Sequence, residues 1–204
     1  MAPRELPPAR PRAAELDEVT LRRAQRGEPA ACRALVDRYS APLFALLGRL
    51  LGGSRDADRR ALIEDLAQDT FLAVFRGLGD FSPSGPAKLS SWILTIASRR
   101  AIDELRRRGG ARVRPIASAE IVAAAIGPSR ADAELERRRL ATAIDHALAE
   151  LAPPYRAAFL LYELHGLDYG EIARALEIDV GTVKSRLARA RAALRAALRE
   201  VHHG

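Results

Sequence analysis

The stretch Tyr169-Gly170-Glu171-Ile172-Ala173-Arg174-Ala175-Leu176-Glu177-Ile178-Asp179-Val180-Gly181-Thr182-Val183-Lys184-Ser185-Arg186-Leu187 decides how the C-terminal part of this chain folds. Its apolar residues have the spacing of two helices joined by a tight turn. Ile172, Ala173 and Leu176 share one face, Ile178 sits in the turn, and Val183 and Leu187 face back from the second helix. Ala173 is small where two helices must cross closely. Thr182 is an oxygen-bearing residue at the start of the second helix, suited to cap free N–H groups or to meet a phosphate. Between Lys184 and Arg199 there are six basic residues and no acid. A helix presented to DNA needs that arrangement, because phosphate neutralisation supplies most of the affinity while the first two turns reach base edges. Helical geometry puts Lys184, Ser185, Ala188 and Arg189 opposite Val183, Leu187, Ala190 and Leu194. A basic amphipathic helix that merely packs on its neighbour is the plain alternative; here helix, turn and charge agree on a helix-turn-helix. The turn position that often carries a left-handed glycine is Glu177, at a cost on the order of 1 kcal/mol if that geometry is kept.

Working outward, the composition is rich in Ala, Leu, Arg and Glu, with 5% aromatics and almost no alternating β-branched runs, which predicts an all-α protein. Apolar spacing places helices at about Leu16 to Arg26, Pro29 to Leu51, Asp56 to Arg76 and Ser90 to Arg108. Gly109-Gly110, Arg112 to Pro115 and Gly127-Pro128 then interrupt any long amphipathic face, so residues 109–130 read as a flexible linker. Helical spacing resumes at Ala131 to Leu151, Pro154 to His165, Tyr169 to Leu176 and Gly181 to Arg199. The organisation is a disordered tail over 1–15, a helical domain over 16–108, the linker, and a smaller helical domain over 131–200.

The net charge of +7 and an isoelectric point near 10.4 point to a polyanionic partner, nucleic acid being the commonest. An Arg-rich soluble surface would give the same totals, so position has to decide. One cysteine, Cys32, excludes an internal disulfide framework and fits a reducing, cytoplasmic setting. The Pro/Arg/Ala-rich start is neither a secretory signal nor a membrane anchor, and no apolar run reaches the roughly 18 to 20 residues of a bilayer span.

The N-terminal domain carries Glu64-Asp65-Leu66-Ala67-Gln68-Asp69-Thr70-Phe71-Leu72-Ala73-Val74-Phe75-Arg76. Ile63, Leu66, Ala67, Thr70, Phe71 and Val74 form its inward stripe, leaving Glu64, Asp65, Gln68, Asp69 and Leu72 on the other side. Asp65 with Asp69, or Asp103 with Glu104, could be read as catalytic carboxylates, but no histidine cluster, second acidic motif or glycine-rich phosphate loop accompanies them. His146 and His165 stand singly and His202-His203 lacks companion ligands, so no metal or other cofactor is expected. A solvated acidic face, or a docking face for a basic partner helix, remains. Downstream, Ser90 to Arg108 reads as a serine-capped helix with Trp92, Ile93, Ile96 and Ala97 in its core and a basic far end. The Ser/Pro/Gly loop from Phe81 to Lys88 could hold an unstacked single strand.

Together these segments resemble the two regions of extracytoplasmic-function sigma factors, over about Val19 to Arg108 and Leu135 to Leu198. The resemblance implies two small helical domains, sigma region 2 as a helical bundle and sigma region 4 as the helix-turn-helix, and a promoter-specificity subunit of RNA polymerase that is not an enzyme. Glu64 to Phe71 looks like the family segment that docks on core polymerase, which assigns that role to Glu64, Asp65, Gln68, Asp69 and Leu72. The helix ending in Ala101-Ile102-Asp103-Glu104-Leu105-Arg106 looks like the one that captures melted minus-ten DNA, which assigns Lys88, Trp92, Arg99, Arg100 and Arg106, with the preceding loop holding a flipped base. Gly181 to Leu187 is close to the family's recognition helix for the minus-thirty-five element, which assigns Thr182, Lys184, Ser185, Arg186, Ala188 and Arg189. Where the family commonly carries Asn after Ala-Arg, this chain reads Ala97-Ser98-Arg99-Arg100, so Arg99 stands in for a base-reading amide. The implied partners are core RNA polymerase, promoter DNA and an anti-sigma factor, with no membrane insertion. A stand-alone helix-turn-helix regulator explains the C-terminal half equally well; it leaves Glu64 to Arg76 and the Trp92 helix unexplained.

Overall fold

The computed structural model describes residues 15–52, 57–85, 87–108 and 142–202. Among the described residues every regular element is helical. The elements are α1 (Glu18–Gln25), α2 (Pro29–Leu51), α3 (Ala57–Gly77), a short 3-10 turn (Leu78–Asp80), α4 (Leu89–Arg107), α5 (within 142–150), α6 (Pro153–Glu163), α7 (Tyr169–Leu176) and α8 (Val180–His202). The expected linker over 109–130 and all but residue 15 of the expected tail lie outside the described residues.

Local chemistry sets the boundaries. Asp17 caps α1 by accepting from the Thr20 N–H at 2.9 Å. Pro29 begins α2, where its missing N–H costs nothing. Gly52 closes α2 with φ 56°, a left-handed conformation natural to glycine. α7 starts with a full capping box: Asp168 accepts from the Glu171 N–H at 2.7 Å, and Glu171 accepts from the Asp168 N–H at 2.8 Å.

Packing joins the two sequence blocks. One apolar core runs from Leu43, Leu46, Leu47 and Leu50 of α2 through Leu66 of α3 and Leu94, Ala97 and Ala101 of α4 to Leu160, Ile172, Val183 and Leu187 of the C-terminal block. A second core lies within the N-terminal block, around Leu21, Leu35, Tyr39, Val74, Leu78 and Ile93. α7 lies against α4, and α6 against both α2 and α4.

The expected serine cap on α4 is not what the structure holds. The helix begins at Leu89, its flanking residue Lys88 makes no side-chain cap, and the donors of Ser90 are taken by Glu15. The Glu15 carboxylate accepts from the Ser90 N–H at 3.1 Å and from its hydroxyl, and also from the Tyr39 hydroxyl at 3.0 Å. Glu15, placed in the tail by its sequence context, thus ties the chain start to α2 and α4. Replacing Glu15 with alanine is expected to remove about 1 kcal/mol of stability, the usual worth of a helix cap, measurable by urea denaturation.

Candidate nucleic-acid interface

The helix-turn-helix is α7, the turn at Glu177 to Asp179, and α8. Ile172, Ala173, Val183, Leu187, Ala190 and Leu194 are buried, as their spacing predicts, and Ile178 packs against them from the turn. Lys184, Ser185, Ala188 and Arg189 are exposed on the outer face of α8, with Thr182 and Arg186 half-buried beside them. Ser185 donates to the Thr182 carbonyl at 2.9 Å. The Arg189 guanidinium donates to the Tyr155 hydroxyl at 3.0 Å and lies 5.9 Å over its ring, so α6 orients it. Arg191 is turned to Glu163 at 2.8 Å and to the Tyr162 ring at 5.1 Å, which binds α8 to α6.

Two details of this motif differ from expectation or refine it. The cap of α8 is Asp179, not Thr182: helix geometry starts at Val180, and Thr182 donates its own N–H (2.7 Å) and hydroxyl (2.5 Å) to the Asp179 carboxylate. Those hydrogen bonds, the side-chain one foremost, hold the Asp179 carboxyl below its ordinary pKa. The turn keeps its left-handed geometry with Glu177 at φ 53° and ψ 48°, the one non-glycine residue with positive φ among those described. A side chain there costs on the order of 1 kcal/mol relative to glycine.

On the N-terminal block, Glu64, Asp65, Gln68, Asp69 and Leu72 are all exposed along one side of α3, and Leu72 is 44% exposed despite being apolar. Beside them runs α4. Arg100 pairs with Asp69 at 3.6 Å, so the acidic face of α3 and the basic face of α4 meet along one seam. Arg106 pairs with Asp103 at 3.5 Å, and Arg107 and Arg108 both turn to the buried carboxylate of Glu104.

At the other end of α4, Phe81 stacks on Trp92 with ring centroids 5.2 Å apart. Gln25 of α1 donates to the carbonyls of Leu78 (2.9 Å) and Phe81 (2.8 Å), fixing the loop from below. The result is an open groove of about 330 Å³ lined by Gly77, Asp80, Phe81, Ser82, Gly85, Ala87 and Trp92, with the exposed Lys88 alongside. Trp92, expected in the core, packs half-buried against the second core and also walls this groove. Gly77 is needed under it, since a Cβ there would meet the Trp92 ring at 3.1 Å.

Arg99 is the predicted reader whose surroundings sequence could not foresee. It points at the C-terminus of α7, donating from Nε to the Ala175 carbonyl (2.9 Å) and from Nη2 to the Arg174 carbonyl (2.6 Å), and pairs with Glu177 at 3.1 Å. Two further residues of the block junction carry no sequence signal. Arg156 of α6 is fully buried and donates to the carbonyls of Leu50, Arg49, Ala149 and Leu151. His165 has a buried Nε2 with no hydrogen-bond partner, and burial, with Arg49 nearby, pushes its pKa down to about 4, so it is neutral at physiological pH. Among the described residues no group of His, Cys, Asp and Glu could hold a metal ion, and no helix is long and apolar enough to cross a membrane.

Comparison with known proteins agrees with this layout. The family model described as Sigma-70 region 2 matches residues 35–110, and that described as Sigma-70, region 4 matches residues 141–194. The chain is 30% identical to the RNA polymerase sigma-H factor of Pseudomonas aeruginosa, over 90% of this chain and 94% of that one. It is 30% identical to the ECF RNA polymerase sigma factor SigW of Bacillus subtilis, over 89% of this chain and 96% of the other. To the ECF RNA polymerase sigma factor SigE of Mycolicibacterium smegmatis it is 33% identical over 79% of its own length, and spans 59% of that longer protein. Among solved structures, CnrH in complex with the cytosolic domain of CnrY is similar with a TM-score of 0.58 and 27% identity, covering 90% of this chain and 97% of that one. The fold is also that of the sigma factor RpoE of Bartonella quintana, with a TM-score of 0.58 and 24% identity, over 82% of this chain and 96% of that chain. With both region models matched in order and two relatives matched over nearly their whole length, the chain belongs to the extracytoplasmic-function subfamily of the sigma-70-type RNA polymerase sigma factors.

Proposed function

We propose that this chain carries core RNA polymerase to promoters by recognition alone, without catalysis, as a cytoplasmic protein. The observation that carries the reading is the order of two exposed readers on one chain: the acidic side of α3 beside the basic α4, followed by the outer face of α8. Region 2, over 16–108, docks on polymerase through Glu64, Asp65, Gln68, Asp69 and Leu72. It holds melted minus-ten DNA with Lys88, Arg99, Arg100 and Arg106, an unstacked base lying in the groove walled by Trp92 and Phe81. Region 4, over 131–200, reads the minus-thirty-five duplex with Thr182, Lys184, Ser185, Arg186, Ala188 and Arg189 in the major groove. Residues 109–130 connect the two. CnrH, a solved relative, is found in complex with the cytosolic domain of a second protein, which supports a protein partner in trans; we assign that partner here as an anti-sigma factor.

The docking assignment is tested by reversing charge at Asp65→Lys and Asp69→Lys together. Both residues are exposed and the Asp69–Arg100 pair is a surface one, so stability should fall by no more than about 1 kcal/mol while affinity for core polymerase falls about tenfold or more, as expected for lost complementarity at an interface. Undiminished binding of core polymerase by the double variant would move the docking site elsewhere.

A further inference from the structure

We propose that Val180 is a specificity-determining residue of α8, its side chain covering the 5-methyl group of a thymine within about two base pairs of the one that Lys184 reads. The inference rests on the reading of α8 as the minus-thirty-five reader given above, and names a contact that this reading does not contain. Among the described residues from Tyr169 to Ala190, Val180 is the one large apolar side chain left exposed, at 41%, while Val183 and Leu187 are fully buried. Helical spacing alone would bury it. It lies three and seven positions before Val183 and Leu187, and so continues their inward stripe. The first turn of α8 instead reaches past the bundle, with Val180, Gly181, Lys184 and Ser185 all exposed. A β-branched residue at an exposed helix position gains no burial and is a poorer helix former than alanine. The fold itself thus gains little from a valine here.

The surroundings favour a base edge over a phosphate. Asp179 precedes Val180, and its carboxylate accepts from the Thr182 N–H at 2.7 Å and from the Thr182 hydroxyl at 2.5 Å. A fixed negative charge therefore stands where a phosphate would have to approach. Gly181 follows, and a Cβ there would meet the capping Oδ1 of Asp179 at 2.9 Å. With Thr182 turned back to the cap and no side chain at Gly181, Val180 is what the first turn presents.

Along the helix, Val180, Lys184 and Ala188 stand four residues apart and form one exposed row, an ammonium flanked by two apolar groups. Recognition helices enter the major groove with their first turns against base edges. There guanine offers its O6 and N7 acceptors to a lysine, and the thymine methyl is the one apolar group that any base presents. Each step of the row advances about 6 Å along the helix axis. Base pairs are about 3.4 Å apart, so one step covers one to two of them. That spacing sets the distance between the thymine and the base pair read by Lys184. Valine has no hydrogen bond to give, so it discriminates between bases only by covering a methyl group.

The test uses the holoenzyme, reconstituted from core polymerase and the full chain. Duplexes are first selected from a pool with a random upstream segment, and Lys184→Ala locates the base pair that the lysine reads. Each thymine of the selected element is then replaced in turn by deoxyuridine, which removes the 5-methyl group and leaves every hydrogen-bonding atom in place. The parent holoenzyme should bind about fourfold more weakly at one such position, the worth of one buried methyl group. Val180→Ala should lose a similar factor on the thymine duplex and should no longer distinguish thymine from deoxyuridine there. Val180→Ile should keep the distinction. The position is exposed, so neither variant should disturb folding. If Val180→Ala weakens both duplexes equally, the valine meets the sugar-phosphate backbone or a protein surface, and the inference is overturned. A methyl effect that survives in Val180→Ala, or no methyl effect within about two base pairs of the Lys184 position, overturns it as well. Those results would leave α8 as the upstream reader. A selection that yields no upstream motif would remove that reading and the inference together.

Discussion

Replacing Arg156 with alanine should lower the stability of the free protein by on the order of 3 kcal/mol, since several buried carbonyls lose their donor and each costs about 1 to 3 kcal/mol when left unsatisfied. Arg156 is 1% exposed. Its Nη1 donates to the Leu50 carbonyl at 2.9 Å and, more weakly, to that of Arg49 at 3.4 Å; its Nη2 donates to Ala149 at 2.7 Å and Leu151 at 2.8 Å. The planar guanidinium thus joins the end of α2 to the end of α5, two sets of helix-terminal carbonyls that have no partner of their own. Burial, with Arg59 nearby, pulls its pKa down to about 10, against the opposing effect of Glu150, so it remains charged at neutral pH. A truncated side chain would also leave a cavity between the two regions. Urea denaturation measures the difference; a loss below about 1 kcal/mol would mean that water replaces the guanidinium at these carbonyls. Arg156→Lys should recover only part, because an ammonium cannot fork between two helix ends.

Truncating Lys184 or Arg189 should weaken binding of the holoenzyme to a minus-thirty-five duplex by roughly 1 to 3 kcal/mol where the side chain makes a bidentate base contact. Where it meets only phosphate, the loss should be uniform across sequences and the slope of affinity against salt should fall by about one. Both residues are exposed on the outer face of α8, so neither change should disturb folding. Arg189 is the better candidate for a base contact, because Tyr155 already fixes the direction of its guanidinium. Salt-dependent titration with duplex fragments separates the two outcomes, and unchanged binding by both variants removes α8 as the upstream reader.

Much of this was legible in the sequence because the signals were local. Pro29 and Gly52 bracket α2 at Pro29–Leu51, the span that apolar spacing predicted. The buried set Ile172, Ala173, Val183 and Leu187 follows directly from helical periodicity. What was missed depends on contacts between distant residues. Glu15 caps a helix 75 positions away, and nothing in a Pro/Arg/Ala-rich context announces that. Arg156 has carbonyls for partners, which every residue carries, so no sequence pattern could mark it as buried. Arg99 and Glu177 each stood out as departures from a pattern, but their meeting required the packing of α4 against α7. The misplaced cap at Thr182 was a nearer error: Asp179 lies three residues earlier and is the stronger acceptor at a helix start.

The central claim is that this chain directs polymerase to promoters, and in vitro transcription tests it most directly. Purified core polymerase would be mixed with a pool of genomic fragments, with and without the protein, and the transcript ends sequenced. The account predicts defined start sites found only when the protein is present and sharing motifs at about ten and thirty-five base pairs upstream. If core polymerase neither binds the protein nor starts at new sites, while the protein alone retains duplex fragments, it would act as a stand-alone regulator and the account would be contradicted.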